Sequence, residues 1–164
     1  MNLDLYPVGW LHTLTSIIAV IAGAVVLVRP KGTPTHRLRG RIYVLALVPT
    51  CITSLAIYRQ DKFWFPHWTG VASLAIVGMG FAFAYFKPPR GWTHLHLTCM
   101  IASYYMLIGG GINEVFLRVD VLRRLAPDVL NSSMVGMTHF AVMLLFAILI
   151  GYFNAALLLR TRPA

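Results

Sequence analysis

Residues 134–159 read MVGMTHFAVMLLFAILIGYFNAALLL, a run without a single charged side chain. A bilayer core about 30 Å thick is crossed by about 20 mostly apolar residues in a helix. Four more segments of this kind precede the run, with approximate bounds 8–28, 42–58, 68–86 and 95–116. Helices are expected because a segment in lipid must satisfy its own backbone hydrogen bonds. The sequence therefore predicts an all-α integral membrane bundle of five transmembrane helices, forming a single transmembrane domain over residues 1–164.

The composition agrees with a membrane location and argues against nucleic-acid binding. Of the 164 residues, 58% are hydrophobic and 12% are charged, while 14 basic and 5 acidic residues give a net charge of +9. So few polar residues would not cover a water-soluble surface, which typically carries about 25% charged residues. The expected partner is therefore the lipid bilayer and not a nucleic acid. The two cysteines exclude a disulfide scaffold.

The basic residues fall unevenly on alternate connections between the spans. With the N-terminus outside, nine basic residues lie on the inner side and five on the outer side, together with all five acidic residues. The inner basic residues are Arg29, Lys31, Arg37, Arg39, Arg41, Lys87, Arg90, Arg160 and Arg162. Cytoplasmic connections carry the excess of Lys and Arg. The pattern predicts an N-out, C-in protein of the bacterial inner (cytoplasmic) membrane.

The longest connection, residues 117–133, contains apolar residues among charged ones. Val119, Val121, Leu122 and Leu125 accompany the basic run that ends at Arg124. A short amphipathic helix lying at the membrane interface would have this composition.

Six histidines stand near the ends of the spans, three toward each side of the membrane. A neutral imidazole binds haem iron through one nitrogen while the other nitrogen donates a hydrogen bond. Facing histidines at matching depth would hold haem b for electron transfer, and the favoured pairs are His12 with His139 and His36 with His96. The candidate cofactor-binding residues are His12, His36, His67, His96 and His139. The catalytic residues and any metal ligands stay open.

Small and polar residues follow the histidines at helical spacing, which places them on one helix face. On the first span His12 is followed in this way by Ser16, Ala19 and Gly23. On the fifth span His139 is followed by Met143, Ala147, Gly151 and Asn154. Because such faces usually point at other helices, the histidines are expected to face the bundle interior.

His12, His139 and Glu114 each have a second role that the sequence allows equally. A hydrogen bond to a neighbouring polar group and ligation of a metal explain equally well why the two histidines lie within a span. Glu114 either pairs with Arg118 at helical spacing or joins these histidines in a polar pocket suited to proton transfer or cation binding. The alternatives to a haem protein are therefore a small transporter or a proton- or metal-handling protein, and a non-catalytic accessory subunit. An accessory role would require a complex partner or a homo-oligomer.

The stretch RPKGTPTHRLRGRIY, residues 29–43, carries a family resemblance. Further matches are His12 early in the first span, His67 at the opening of the third, and His96 with Met100 on the fourth. Over residues 8–116 the chain resembles an uncharacterised bacterial family of predicted membrane proteins, domain of unknown function 2306. The resemblance implies a helical bundle and brings no established reaction.

Overall fold

The computed structural model describes residues 7–57, 63, 65–88, 90–129 and 131–161. Within these ranges the chain forms six α-helices and no strand. They are α1 Pro7–Val28, α2 Pro34–Ala56, α3 Phe65–Phe86, α4 Trp92–Arg118, α5 Asp120–Leu125 and α6 Ser133–Thr161. Five of the helices, all except α5, are long and apolar enough to cross a membrane, which confirms the predicted spans. Outside the described residues lie Tyr58, the predicted end of the second span, and several charges used for the orientation: Asp4, Arg59, Asp61, Lys62 and Arg162.

The start of α2 differs from the prediction by about two turns. The apolar count placed the start at Ile42, whereas the helix begins at Pro34. The Thr33 hydroxyl accepts a hydrogen bond from the His36 backbone N–H at 3.1 Å, and proline at the first helical position needs no donor. The basic residues that lower the hydropathy of this stretch, Arg39 among them, therefore lie on the helix and not in a loop.

The short helix predicted in the longest connection is present as α5. Its exposed Arg123 and Asp120 form an ion pair with 3.0 Å between Nη2 and Oδ1. Directly after α5 the connection packs against the long helices, because Ala126 is buried in an apolar cluster with Phe116 of α4 and Val135 of α6. This cluster closes the hairpin formed by α4 and α6.

The chain divides into two compact units, residues 1–77 and 78–164. In the first unit α1 packs along α2, and the buried positions of α1 are Ala19 and Gly23. These two residues belong to the small stripe that follows His12, so the predicted face of α1 is confirmed. The first part of α3 contacts the end of α2, where a Cβ added to Gly70 would lie 2.6 Å from Ser54 Oγ.

In the second unit α4 packs along α6, and the remainder of α3 contacts α4. The predicted contact face of α6 is wrong in the middle of the helix. The residues that follow His139 at helical spacing are exposed there: Met143, Ala147 and Gly151. Phe146 is buried in their place, with its ring centroid 5.7 Å from those of both Tyr104 and Tyr105. Aromatic packing, and not close backbone approach through small residues, sets this part of the α4–α6 contact.

Candidate functional site

His12 joins α1 to the last turns of α2. Its Nδ1 atom lies 3.0 Å from the Thr50 carbonyl oxygen and 3.0 Å from Thr53 Oγ1. A carbonyl oxygen only accepts, so the Nδ1–H group donates and Nε2 carries the lone pair of the neutral ring. The Thr50 and Thr15 hydroxyls lie 2.9 Å apart beside this bond. The result is a polar cluster between α1 and α2.

His36 and His67 are the other two histidines of the first unit. His36 lies in the first turn of α2, beyond the Thr33 cap. His67 is 1% exposed, and its ring centroid is 4.7 Å from that of Phe63. The His36 Nδ1 and His67 Nε2 atoms are buried and form no hydrogen bond with the described part of the chain, although both residues have other contacts.

His96 joins α4 to α3 through the main chain. Its Nδ1 atom lies 2.7 Å from the Gly80 carbonyl oxygen. As for His12, this acceptor assigns the proton to Nδ1 and the lone pair to Nε2. Glycine allows the approach of the two helices, because a Cβ at position 80 would lie 2.9 Å from Met100 Sδ and 3.0 Å from Cys99 Cβ. The ring is half-buried.

His94, two residues earlier, points to α6 and was not among the sequence candidates. Its Nδ1 atom lies 2.7 Å from Asn154 Oδ1. The Asn154 amide in turn donates to Thr98 Oγ1 at 3.1 Å and to the Ile150 carbonyl at 2.9 Å. These donations fix which end of the amide faces the ring. The signal for this cluster is Asn154 itself, a strongly polar residue in the most apolar span.

His139 joins α6 to the opposite end of α4. Its Nε2 atom lies 2.9 Å from Asn113 Oδ1, so here the hydrogen bond is made by the other ring nitrogen. Gly109 lies beside the ring, where an added Cβ would be 3.7 Å from Cε1. The α4–α6 pair therefore has one histidine–asparagine contact near each end.

Glu114 follows Asn113 but forms an ion pair with Arg118. The Oε2–Nε distance is 2.7 Å, and the two side chains are 40% and 49% exposed. No cluster of three or more His, Cys, Asp or Glu residues is arranged to hold a metal ion within the part of the chain that the structure describes. The geometry therefore favours the histidines over Glu114 as functional residues.

The structure brings each bonded histidine against a neighbouring helix of its own unit. His12 contacts α2, His96 contacts α3, and His139 contacts α4. Both predicted haem pairs take one histidine from each unit, and these pairings stay predictions. What the geometry supplies is an orientation for each bonded ring and a proton position for His12 and His96, whose partners are main-chain oxygens.

The comparisons with known proteins give one match. A family model described as "Predicted membrane protein (DUF2306)" matches residues 9–151. The match extends beyond the resemblance over residues 8–116 and includes His139. No curated protein and no solved structure matches the chain. The chain belongs to the DUF2306 family of predicted membrane proteins.

Proposed function

We propose that this membrane protein binds haem b through transmembrane histidines and transfers electrons. The observation that carries the proposal is the 2.7 Å contact between His96 Nδ1 and the Gly80 carbonyl oxygen. Imidazoles that bind a metal almost always donate their other N–H to a carbonyl, a carboxylate or water, which fixes the tautomer and raises ligand basicity. His96 has this arrangement, with Nε2 as the ligand atom.

His12 supplies a second imidazole of the same kind. Its Nδ1 atom contacts the Thr50 carbonyl oxygen, so its Nε2 atom has the same electronic character. An imidazole placed within an apolar span is costly unless it has a function or a partner. The Thr50 contact fixes the proton on Nδ1, and Nε2 is the atom that we propose as an iron ligand.

The charges near His96 suit the carboxylate groups of a haem. Lys87 and Arg90 lie in the connection that precedes α4, nine and six residues before His96. Trp92 is the first residue of α4, and Lys87 Nζ lies 5.9 Å from the centroid of its ring. Haem propionates bind basic side chains by charge-assisted hydrogen bonds. Bound haem b supplies one-electron transfer, while the chain fixes the ligand nitrogens and neutralises the propionates.

The variant pair His96→Ala and His94→Gln tests this assignment. Both residues lie in the first turns of α4, but His94 belongs to the Asn154 cluster and has the role of joining α4 to α6. Full-length protein is produced in cells supplied with a haem precursor and purified in mild detergent. We expect haem per chain, measured as the pyridine haemochrome, to fall at least twofold in His96→Ala and to stay near wild type in His94→Gln. Equal haem contents in all three proteins would contradict the role of His96.

The proposed membrane is the bacterial cytoplasmic membrane, with the N-terminus outside and the C-terminus inside. The support is the excess of basic residues on one set of connections and in the helix ends beside them, where α2 carries Arg37, Arg39 and Arg41. A C-terminal fusion to a reporter that is active only in the cytoplasm should give signal. Activity of a reporter that works only outside the cytoplasm would contradict this orientation.

A further inference from the structure

A groove of about 290 Å³ lies between α1 and α2. Its α1 wall is an apolar stripe in the second half of the helix, formed by Ile18, Ile21, Ala22 and Val25. Its α2 wall is formed by Arg39 and Ile42. Because α1 ends at Val28 and α2 begins at Pro34, the groove lies near the membrane boundary of this helix pair. Its accessible lining is almost wholly apolar, so Arg39 lines the groove with the aliphatic part of its side chain.

Among the described residues, no carboxylate neutralises Arg39. Those of the first unit, 7–57, 63 and 65–77, contain neither Asp nor Glu. The carboxylates described in the second unit already accept hydrogen bonds from nearby residues of that unit: Glu114 from Arg118, Asp120 from Arg123, and Asp128 from Asn131. This distribution of charge favours a counter-ion for Arg39 that comes from another molecule.

We propose that the groove binds an anionic phospholipid, with an acyl chain along the α1 stripe and the phosphate on the Arg39 guanidinium. A guanidinium matches two phosphate oxygens at once, which a single ammonium does not. Arg39 is half-buried against the groove, whereas Arg37 and Arg41 on the same helix are exposed. These flanking residues add a diffuse attraction for anionic headgroups, while Arg39 makes the specific contact.

An amphiphile is the occupant that fits both walls. A free phosphate ion would neutralise Arg39 but leave the apolar stripe without a partner. A zwitterionic lipid would cover the stripe, but its own cation would compete for the phosphate. The site should therefore prefer phosphatidylglycerol over phosphatidylcholine.

Native mass spectrometry of the full chain in detergent tests the proposal. Wild-type protein, Arg39→Gln and the matched control Arg41→Gln are each titrated with phosphatidylglycerol and with phosphatidylcholine. We expect wild type to bind phosphatidylglycerol about fivefold more tightly than phosphatidylcholine, since one interfacial arginine contributes about 1 kcal/mol. This preference should fall to a small remainder in Arg39→Gln, because Arg37 and Arg41 still attract anionic headgroups, and should largely persist in Arg41→Gln.

Two further measurements separate this site from other sources of binding. Ala22→Phe, which fills the groove from α1, should lower the occupancy of both lipids. Inorganic phosphate at millimolar concentration should leave phosphatidylglycerol binding unchanged. The proposal would be overturned by an equal loss of preference in Arg39→Gln and Arg41→Gln, by unchanged lipid occupancy in Ala22→Phe, or by displacement of the lipid by inorganic phosphate.

Discussion

The Nδ1 atom of His96 lies 2.7 Å from the main-chain oxygen of Gly80, so one imidazole joins α4 to α3 directly through the backbone. The contact depends on the absence of a side chain at position 80, because an added Cβ would lie 3.0 Å from Cys99 Cβ. The hydrogen bond therefore requires the close helix approach that glycine allows at position 80. Together the bond and the close approach hold the ring that we propose as a haem ligand.

Gly80→Ala should destabilise the protein and disturb His96. The new methyl group would meet Cys99 Cβ, which moves only with the α4 backbone, as well as Met100 Sδ. Such overpacking costs about 1–3 kcal/mol. The measurement is the free energy of unfolding in mixed micelles, with haem per chain determined on the same samples.

Gly78→Ala is the matched control on the same helix. A Cβ at position 78 would meet no atom within 4 Å. Replacing glycine by alanine at an unstrained helical position stabilises a protein by about 0.4–1 kcal/mol. If the two variants had equal stabilities, the close approach of α3 and α4 at Gly80 would be disproved.

The spans were predictable from the sequence because hydropathy depends only on local composition. The start of α2 was placed too late, since Arg37, Arg39 and Arg41 lower the hydropathy of a stretch that the Thr33 cap makes helical. The start of α2 is therefore set by the Thr33 cap and not by the first apolar residues. The six described helices otherwise match the five predicted spans and the predicted short connection helix.

The histidine partners were harder to predict than the histidines. Spacing along one helix showed that His12 and His139 face other helices, and both do. It could not identify Thr50 or Asn113 as their partners, because these contacts join residues far apart in the chain. It also favoured small residues such as Ala147 for the contact face of α6, where the buried residue is Phe146.

A double-mutant cycle should reveal coupling between His139 and Asn113. Their side chains are 2.9 Å apart between α6 and α4. Hydrogen bonds between transmembrane helices contribute about 0.6 kcal/mol on average and up to about 1.7 kcal/mol. We expect a coupling energy in this range from the unfolding of His139→Ala, Asn113→Ala and the double variant.

A second cycle, between His139 and Asn154, serves as its control. These residues lie on the same helix, about 22 Å apart at 1.5 Å per residue, and should give additive effects. A coupling of zero in the first cycle would show that the contact between α4 and α6 contributes nothing to stability.

Glu114→Gln should have a small effect. The ion pair with Arg118 is roughly half exposed, and an exposed pair at i,i+4 spacing contributes about 0.3–0.5 kcal/mol. The loss should shrink in about 1 M salt, where the Debye length is about 3 Å. The free energy of unfolding of wild type and of Glu114→Gln, measured in low salt and in about 1 M salt, tests this. A loss above about 2 kcal/mol that persists in high salt would instead support the polar-pocket role of Glu114.

The reduced-minus-oxidised absorption spectrum of the purified wild-type protein tests haem binding most directly. The protein should be produced in full length, in cells supplied with a haem precursor, and kept in mild detergent. We predict a Soret band that shifts on reduction with dithionite, together with iron at one or more atoms per chain. A colourless preparation without iron, from protein that remains folded by circular dichroism, would contradict the proposal.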